Sequence, residues 1–167
     1  ASTFNAVVAQ ADDGILVQVD VTTDVGVLTL DGDSDDTADT HDKVALSGAR
    51  TLSSAGQMTL DSTTGGIVRS GYTTLTLKSD AGILVNDNFT GTASGQELHI
   101  DADKSVAGTT GVFTIASSMG LSTTDGLLSV TAADIQVLGT LTSGSADTIL
   151  HTATQRTMGL GTTSQQL

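Results

Sequence analysis

Short segments in which an aliphatic residue alternates with a polar residue recur along the whole chain. In Val27-Leu28-Thr29-Leu30, the two leucines fall on one face of an extended strand and Thr29 falls on the other. Five more segments share the pattern: Met58–Leu60, Leu75–Leu77, Leu98–Ile100, Phe113–Ile115 and Leu128–Val130. Turn residues such as Asp31-Gly32-Asp33 follow them, and no stretch has helical periodicity with caps. The pattern predicts an all-β chain of short strands.

These segments also recur in order at an interval of about 70 residues, which indicates a degenerate internal repeat. The five matches in order are Asp12–Val17 with Asp80–Val85, Leu28–Asp33 with Leu98–Asp103, Val44–Ser47 with Phe113–Ala116, Met58–Leu60 with Leu128–Val130, and Ile67-Val68 with Ile135–Val137. We therefore interpret 1–167 as a single segment. It has two repeats at approximately 12–79 and 80–150, and partial repeats at 1–11 and 151–167.

The core that this chain can form is aliphatic, because aromatic residues make up only 2% of it and proline is absent. A β-sandwich core usually contains a few aromatic anchors. In a solenoid each rung buries its apolar face against the next rung, so small side chains are sufficient. We therefore predict a right-handed parallel β-helix, or β-solenoid, with irregular turns and little or no helix. Neither end resembles a polar cap, so we expect continuation in a longer array or end-to-end stacking of subunits.

The charge of the chain argues against two classes of partner. The net charge is −13 and Lys plus Arg total 6, whereas a nucleic-acid binder needs clustered basic residues. The same charge disfavours an anionic membrane surface, and no run of roughly 18 apolar residues occurs. Cysteine is absent, which excludes disulfides and thiolate metal sites. We expect no nucleic-acid partner and no membrane insertion.

The densest acidic run lies between Asp31 and Asp42 and has the composition of a loop that can surround Ca²⁺ with oxygen atoms. The candidate ligands are Asp31, Asp33, Asp35, Asp36 and Asp39. The run is not an EF-hand, because an aspartate stands at position 42 where the bidentate glutamate would be. The alternative is a solvated insertion between rungs. Calcium is the only cofactor that the sequence suggests.

Two further patterns concern modification and catalysis. Asn88-Phe89-Thr90 matches the acceptor triplet for N-glycosylation and lies in a turn-rich stretch, which makes Asn88 a candidate glycan site. No catalytic motif such as GxSxG or HExxH is present. Polysaccharide-cleaving β-helices need clustered acidic and basic residues in a groove, and basic residues are scarce here. We predict no catalytic residues and no enzymatic activity.

The aliphatic rungs, the GxLTLxS-like segments and the tail Arg156–Gly161 resemble repeats of very large secreted proteins related to filamentous haemagglutinin. The resemblance covers most of the chain. It implies a right-handed parallel β-helix, an extracellular or cell-surface location and an adhesive or fibre-forming role. The function that we predict is a structural module of a secreted or cell-surface filament, sheath or adhesin, assembled by rung-on-rung stacking. The alternative is a glycan- or matrix-binding module, and a polysaccharide-active enzyme comes third.

Overall fold

The computed structural model describes residues 1–71, 73–105 and 111–153, and in these residues it contains only short strands, turns and loops. No long apolar helix of the kind that spans a membrane occurs in this part of the chain. The strands are β1 (Ser2–Phe4), β2 (Val7–Gln10), β3 (Ile15–Val17), β4 (Val21–Thr23), β5 (Leu28–Asp31), β6 (Val44–Ser47), β7 (Arg50–Ser54), β8 (Met58–Asp61), β9 (Ile67–Ser70), β10 (Leu75–Ser79), β11 (Ile83–Val85), β12 (Phe89–Gly91), β13 (Leu98–Asp101), β14 (Val112–Ile115), β15 (Gly120–Ser122), β16 (Leu128–Ala132), β17 (Asp134–Val137), β18 (Thr140–Thr142) and β19 (Thr148–Thr152).

Every third strand pairs in parallel with its counterpart in the next turn of the chain. Within the described residues this produces three sheets. Sheet A has the order β1-β4-β7-β10-β13-β16-β19, sheet B has β2-β5-β8-β11-β14-β17, and sheet C has β3-β6-β9-β12-β15-β18. Three consecutive strands therefore form one coil with three sides. The predicted all-β parallel β-solenoid is confirmed.

The core consists of side-chain ladders that run along the inside of each sheet. In sheet B, Leu28 pairs with Met58, Met58 with Ile83, and Ile83 with Phe113, and all four side chains are completely buried. Each of the six segments with alternating polarity contains a strand whose apolar residues point inward, and Val27, which precedes β5, is exposed. Stacked coils thus bury the aliphatic rows that the sequence pattern predicts.

Hydroxyl side chains at the inner corners satisfy backbone groups where the chain turns between sheets. Thr23 Oγ1 donates to the carbonyl of Gly26 at 2.7 Å, and Ser143 Oγ donates to the carbonyl of Ala146 at 2.6 Å. Both side chains are almost fully buried. Since a buried carbonyl without a partner is costly, these serines and threonines have a structural role at the corners.

The structural period is the coil, and it differs from the interval of the sequence repeat. Leu28 lies on β5 in sheet B, whereas its sequence match Leu98 lies on β13 in sheet A. Likewise Ile15 lies on β3 in sheet C, and its match Ile83 lies on β11 in sheet B. Because a coil contains three strands and matched segments are eight described strands apart, each match falls on a different sheet. The division into two repeats at 12–79 and 80–150 stays a prediction from the sequence.

Candidate functional site at the acidic corner

The acidic run connects β5 to β6 at the corner between sheets B and C. It lies on the shorter turn 62–66 of the next coil, because β5 and β8 pair in register and place Asp31 beside Asp61. Asp36 contacts that turn directly, since its Oδ1 accepts a hydrogen bond from Thr63 Oγ1 at 2.6 Å. We call residues 31–42, the turn 62–66 and Asp87 the acidic corner.

The five predicted calcium ligands do not share one environment. Asp35, Asp36 and Asp39 are exposed and Asp31 is half-buried, whereas Asp33 is only 1% exposed. Among the residues that the structure describes, no three acidic or histidine side chains converge in a way that could hold a metal ion. Calcium coordination by all five residues together stays a prediction.

Two buried carboxylates of the acidic corner converge on Thr64. Asp33 Oδ2 accepts a hydrogen bond from the Thr64 backbone N–H at 2.8 Å, and Asp42 Oδ2 accepts one from Thr64 Oγ1 at 2.9 Å. The other carboxylate oxygen, Oδ1, of both residues is buried and has no hydrogen-bond partner. The hydroxyl of Ser62, two residues before Thr64, is also fully buried and without a partner.

A third buried carboxylate, Asp87, lies on the following coil. Leu60 pairs with Val85, and the register continues beyond the strand ends because Asn86 Nδ2 donates to Asp61 Oδ2 at 2.6 Å. One residue further along both strands, Asp87 lies at the level of the turn that begins after Asp61, and Asp87 is 4% exposed.

Burial and neighbouring charge make the Asp87 carboxyl harder to ionise. Burial is the main reason that its pKa lies above the ordinary value, and the charges of Asp61 and Asp33 act in the same direction. A hydrogen bond of 2.5 Å from the Asn88 N–H opposes this shift. Asp87 therefore lies within the electrostatic range of the other carboxylates of the acidic corner.

Repulsion between carboxylates extends to the exposed part of the loop. The charge of Asp35 is the largest cause that raises the pKa of Asp12, and burial followed by the charge of Asp42 raises that of Asp39. Asp13 differs, because hydrogen bonds from the His41 ring and backbone lower its pKa. In the described part of the chain, His41–Asp13 is the only ion pair at this corner. The acidic corner therefore carries negative charge that few cationic side chains offset.

Removing one of these exposed charges is expected to stabilise the protein when divalent cations are absent. Because the pKa of Asp12 is higher in the folded protein than the ordinary value of 3.8, the protonated form of Asp12 stabilises the fold. This stabilisation is complete below pH 3.8 and is lost as pH rises through the raised pKa. Asp35→Asn should therefore raise Tm by roughly 1–2 °C at pH 7 in chelator and low salt. Differential scanning fluorimetry would measure this.

The matched control for that substitution is Asp147→Asn, which removes the same charge from an exposed position in a distant coil. The stabilisation by Asp35→Asn should shrink in 0.15 M salt, where screening acts over about 8 Å. It should also shrink near pH 3. A lower Tm for Asp35→Asn than for the wild type in chelator would contradict repulsion as the dominant effect.

A second corner, between sheets C and A, contains a buried arginine that the sequence did not reveal. Arg69 points inward from β9 and is 2% exposed. Its Nη1 donates to the carbonyl of Gln96 at 3.1 Å, and its Nη2 donates to the carbonyl of Thr73 at 2.5 Å. Burial lowers the pKa of Arg69 to about 10, with Glu97 acting in the opposite direction, so the side chain is charged at neutral pH. Arg69 lies two residues after the inward Ile67, and this spacing was the feature of the sequence that could have placed Arg69 on the inward face of the strand.

The candidate glycan site has an exposed side chain in the structure. Asn88 precedes β12, and its Oδ1 accepts a hydrogen bond from the Gly120 N–H of the next coil at 2.9 Å. A glycan would be attached through the other side-chain atom, Nδ2. Glycosylation of Asn88 stays a prediction.

Comparisons with known protein families, with curated proteins and with solved structures found no match. The tail Arg156–Gly161, which supports part of the resemblance to filamentous-haemagglutinin repeats, lies outside the described residues. The resemblance therefore stays a prediction.

Proposed function

We propose that this chain is a structural β-solenoid module of a secreted or cell-surface filament, sheath or adhesin, extended by coil-on-coil stacking. The observation that supports the proposal is the continuous parallel register of sheet A from β1 to β19. Each coil is hydrogen-bonded to its neighbours through three sheets, so a load along the axis is distributed over many backbone hydrogen bonds. The secreted or surface location is supported only by the sequence resemblance.

Inward side chains at both ends of the described stack favour the addition of further coils. Phe4 belongs to the same inward row as Thr23, yet Phe4 is 47% exposed and Thr23 is 1% exposed. At the other end, Val137 pairs with the fully buried Ile115 but is itself 40% exposed. A further coil of the same fold, from this chain or from a second copy, would cover these apolar surfaces.

Assembly of the 167-residue chain tests this proposal. Electron microscopy and fibre diffraction should show fibres with a repeat of about 4.8 Å along the axis, the spacing of paired strands. Phe4→Asp and Val137→Asp should block fibre formation, because each places a charge in an inward row. The matched controls are Val8→Asp and Leu138→Asp, which alter side chains that are 63% and 62% exposed and lie outside those rows.

A second candidate function, glycan or matrix binding, is favoured by the outer face of sheet C. Thr90, Ser122 and Thr142 occupy neighbouring strands in register and form a row of outward hydroxyl groups. Such a row can exchange hydrogen bonds with sugar hydroxyls. A monodisperse monomer that binds on a glycan array would support this alternative over filament formation, and turnover of a polysaccharide would contradict both.

A further inference from the structure

The buried oxygens of the acidic corner lack the partners that buried polar groups normally have. Oδ1 of Asp33, Oδ1 of Asp42 and Oγ of Ser62 are all inaccessible to solvent and without a hydrogen bond. The three residues are 1%, 4% and 0% exposed. Burial of an ionised carboxylate is strongly unfavourable unless a counter-charge, a proton or a metal ion compensates it. Within the described residues, the ion pair that contains a lysine joins Lys104 to Asp80 and does not involve Asp33 or Asp42.

Close backbone packing fixes the positions of these groups. A Cβ atom on Gly32 would lie 2.7 Å from the carbonyl carbon of Lys43, so the two ends of the acidic loop are in contact. A Cβ atom on Gly65 would overlap the carbonyl oxygen of Asp42, so the loop is also packed tightly on the turn below. The backbone segments that carry Asp33 and Asp42 are therefore packed against the turn 62–66, where both carboxylates hydrogen-bond to Thr64.

We propose that Asp33 and Asp42 bind one Ca²⁺ ion inside the acidic corner, with Ser62 Oγ as a third oxygen ligand. Ca²⁺ accepts 6–8 oxygen ligands, and backbone carbonyls and water molecules would complete the set. Asp87 on the next coil adds negative charge near the site. A site with two carboxylate ligands agrees with the finding that no three acidic side chains converge within the described residues.

This site differs from the ligand set predicted by the sequence, with which it shares only Asp33, although Asp42 ends the same acidic run. It joins the loop between β5 and β6 to the turn between β8 and β9, and Asp87 belongs to the coil after that. Ca²⁺ would therefore connect consecutive coils from within the corner. The proposal does not depend on whether the protein forms filaments.

Calorimetric titration of the 167-residue chain with CaCl₂ should detect one ion per chain. Thermal unfolding should show Tm higher by roughly 5–10 °C in Ca²⁺ at a hundredfold excess over Kd than in EDTA. Mg²⁺ should bind more weakly, because it requires a near-octahedral site and retains its water. Absence of both the binding heat and the Tm shift at millimolar Ca²⁺ would overturn the proposal.

Substitutions distinguish the inner site from the exposed loop. Asp33→Asn and Asp42→Asn should each weaken Ca²⁺ binding at least tenfold, and Asp35→Asn should weaken it less than threefold. Asp147→Asn should have no effect. An equal loss for Asp35→Asn and Asp33→Asn would overturn the inner ligand set.

The wild-type comparison of Ca²⁺ with EDTA keeps the test valid if a variant does not fold, and far-UV circular dichroism would identify such a variant.

Discussion

Replacement of Phe113 by alanine is expected to lower the free energy of unfolding by about 3–5 kcal/mol. Phe113 is completely buried and lies between Ile83 and Ile135 in the ladder of sheet B. The coils above and below are held at a fixed spacing by backbone hydrogen bonds, so they have little freedom to close the cavity. The loss should therefore be close to that of a rigid core site.

Urea unfolding followed by far-UV circular dichroism would measure this loss, with the slope m checked because solenoids can unfold in parts. The matched control is Thr114→Ala, which changes the next residue on the same strand, where the side chain points outward. It should cost about 1 kcal/mol or less. Similar costs for the two substitutions would contradict the assignment of inward and outward faces on β14.

Replacement of Arg69 by alanine is expected to lower the free energy of unfolding by about 2–5 kcal/mol. The substitution leaves the carbonyls of Gln96 and Thr73 without their donors and opens a cavity in sheet C. Arg69→Lys should be intermediate, because one ammonium group keeps the charge but does not reproduce the two-pronged geometry of the guanidinium.

Arg50→Ala is the control for this substitution, since Arg50 hydrogen-bonds to the carbonyl of its neighbour Ala49. It removes the same charge and should cost less than about 1 kcal/mol. Denaturant unfolding at pH 7 would compare the variants. If Arg69→Ala and Arg50→Ala had equal stability, the buried contacts of Arg69 would contribute nothing beyond its charge.

The apolar part of the fold could be predicted from the sequence, and most of the polar interior could not. Alternation identifies the inward face of a strand such as Leu128–Val130, because each inward position is aliphatic. Some strands of sheet C show the alternation much more weakly. For example, β12 and β15 have only three residues each, and each has a single large inward side chain, Phe89 or Leu121.

The candidate site was predicted only in part for the same reason. The density of aspartates indicated the loop, but spacing alone did not show that Asp33 is buried and Asp35 exposed. Asp33 and Asp42 meet Thr64 because one coil is stacked on the next, and the separation of these residues in the chain carries no signal of that contact. Arg69 was missed because an inward arginine interrupts the aliphatic pattern by which faces are recognised.

The mismatch between the sequence repeat and the coil has a consequence for how such chains diversify. The acidic loop after β5 lies at the corner of sheets B and C, whereas its sequence counterpart Asp101–Asp103 begins at the last residue of β13, at the corner of sheets A and B. All three sheets accept the same inward aliphatic pattern. Gain or loss of one strand during evolution would therefore move every later loop to a different corner of the solenoid, while the inward aliphatic rows stay buried. Chain length alone can thus change which side of the solenoid carries a given loop.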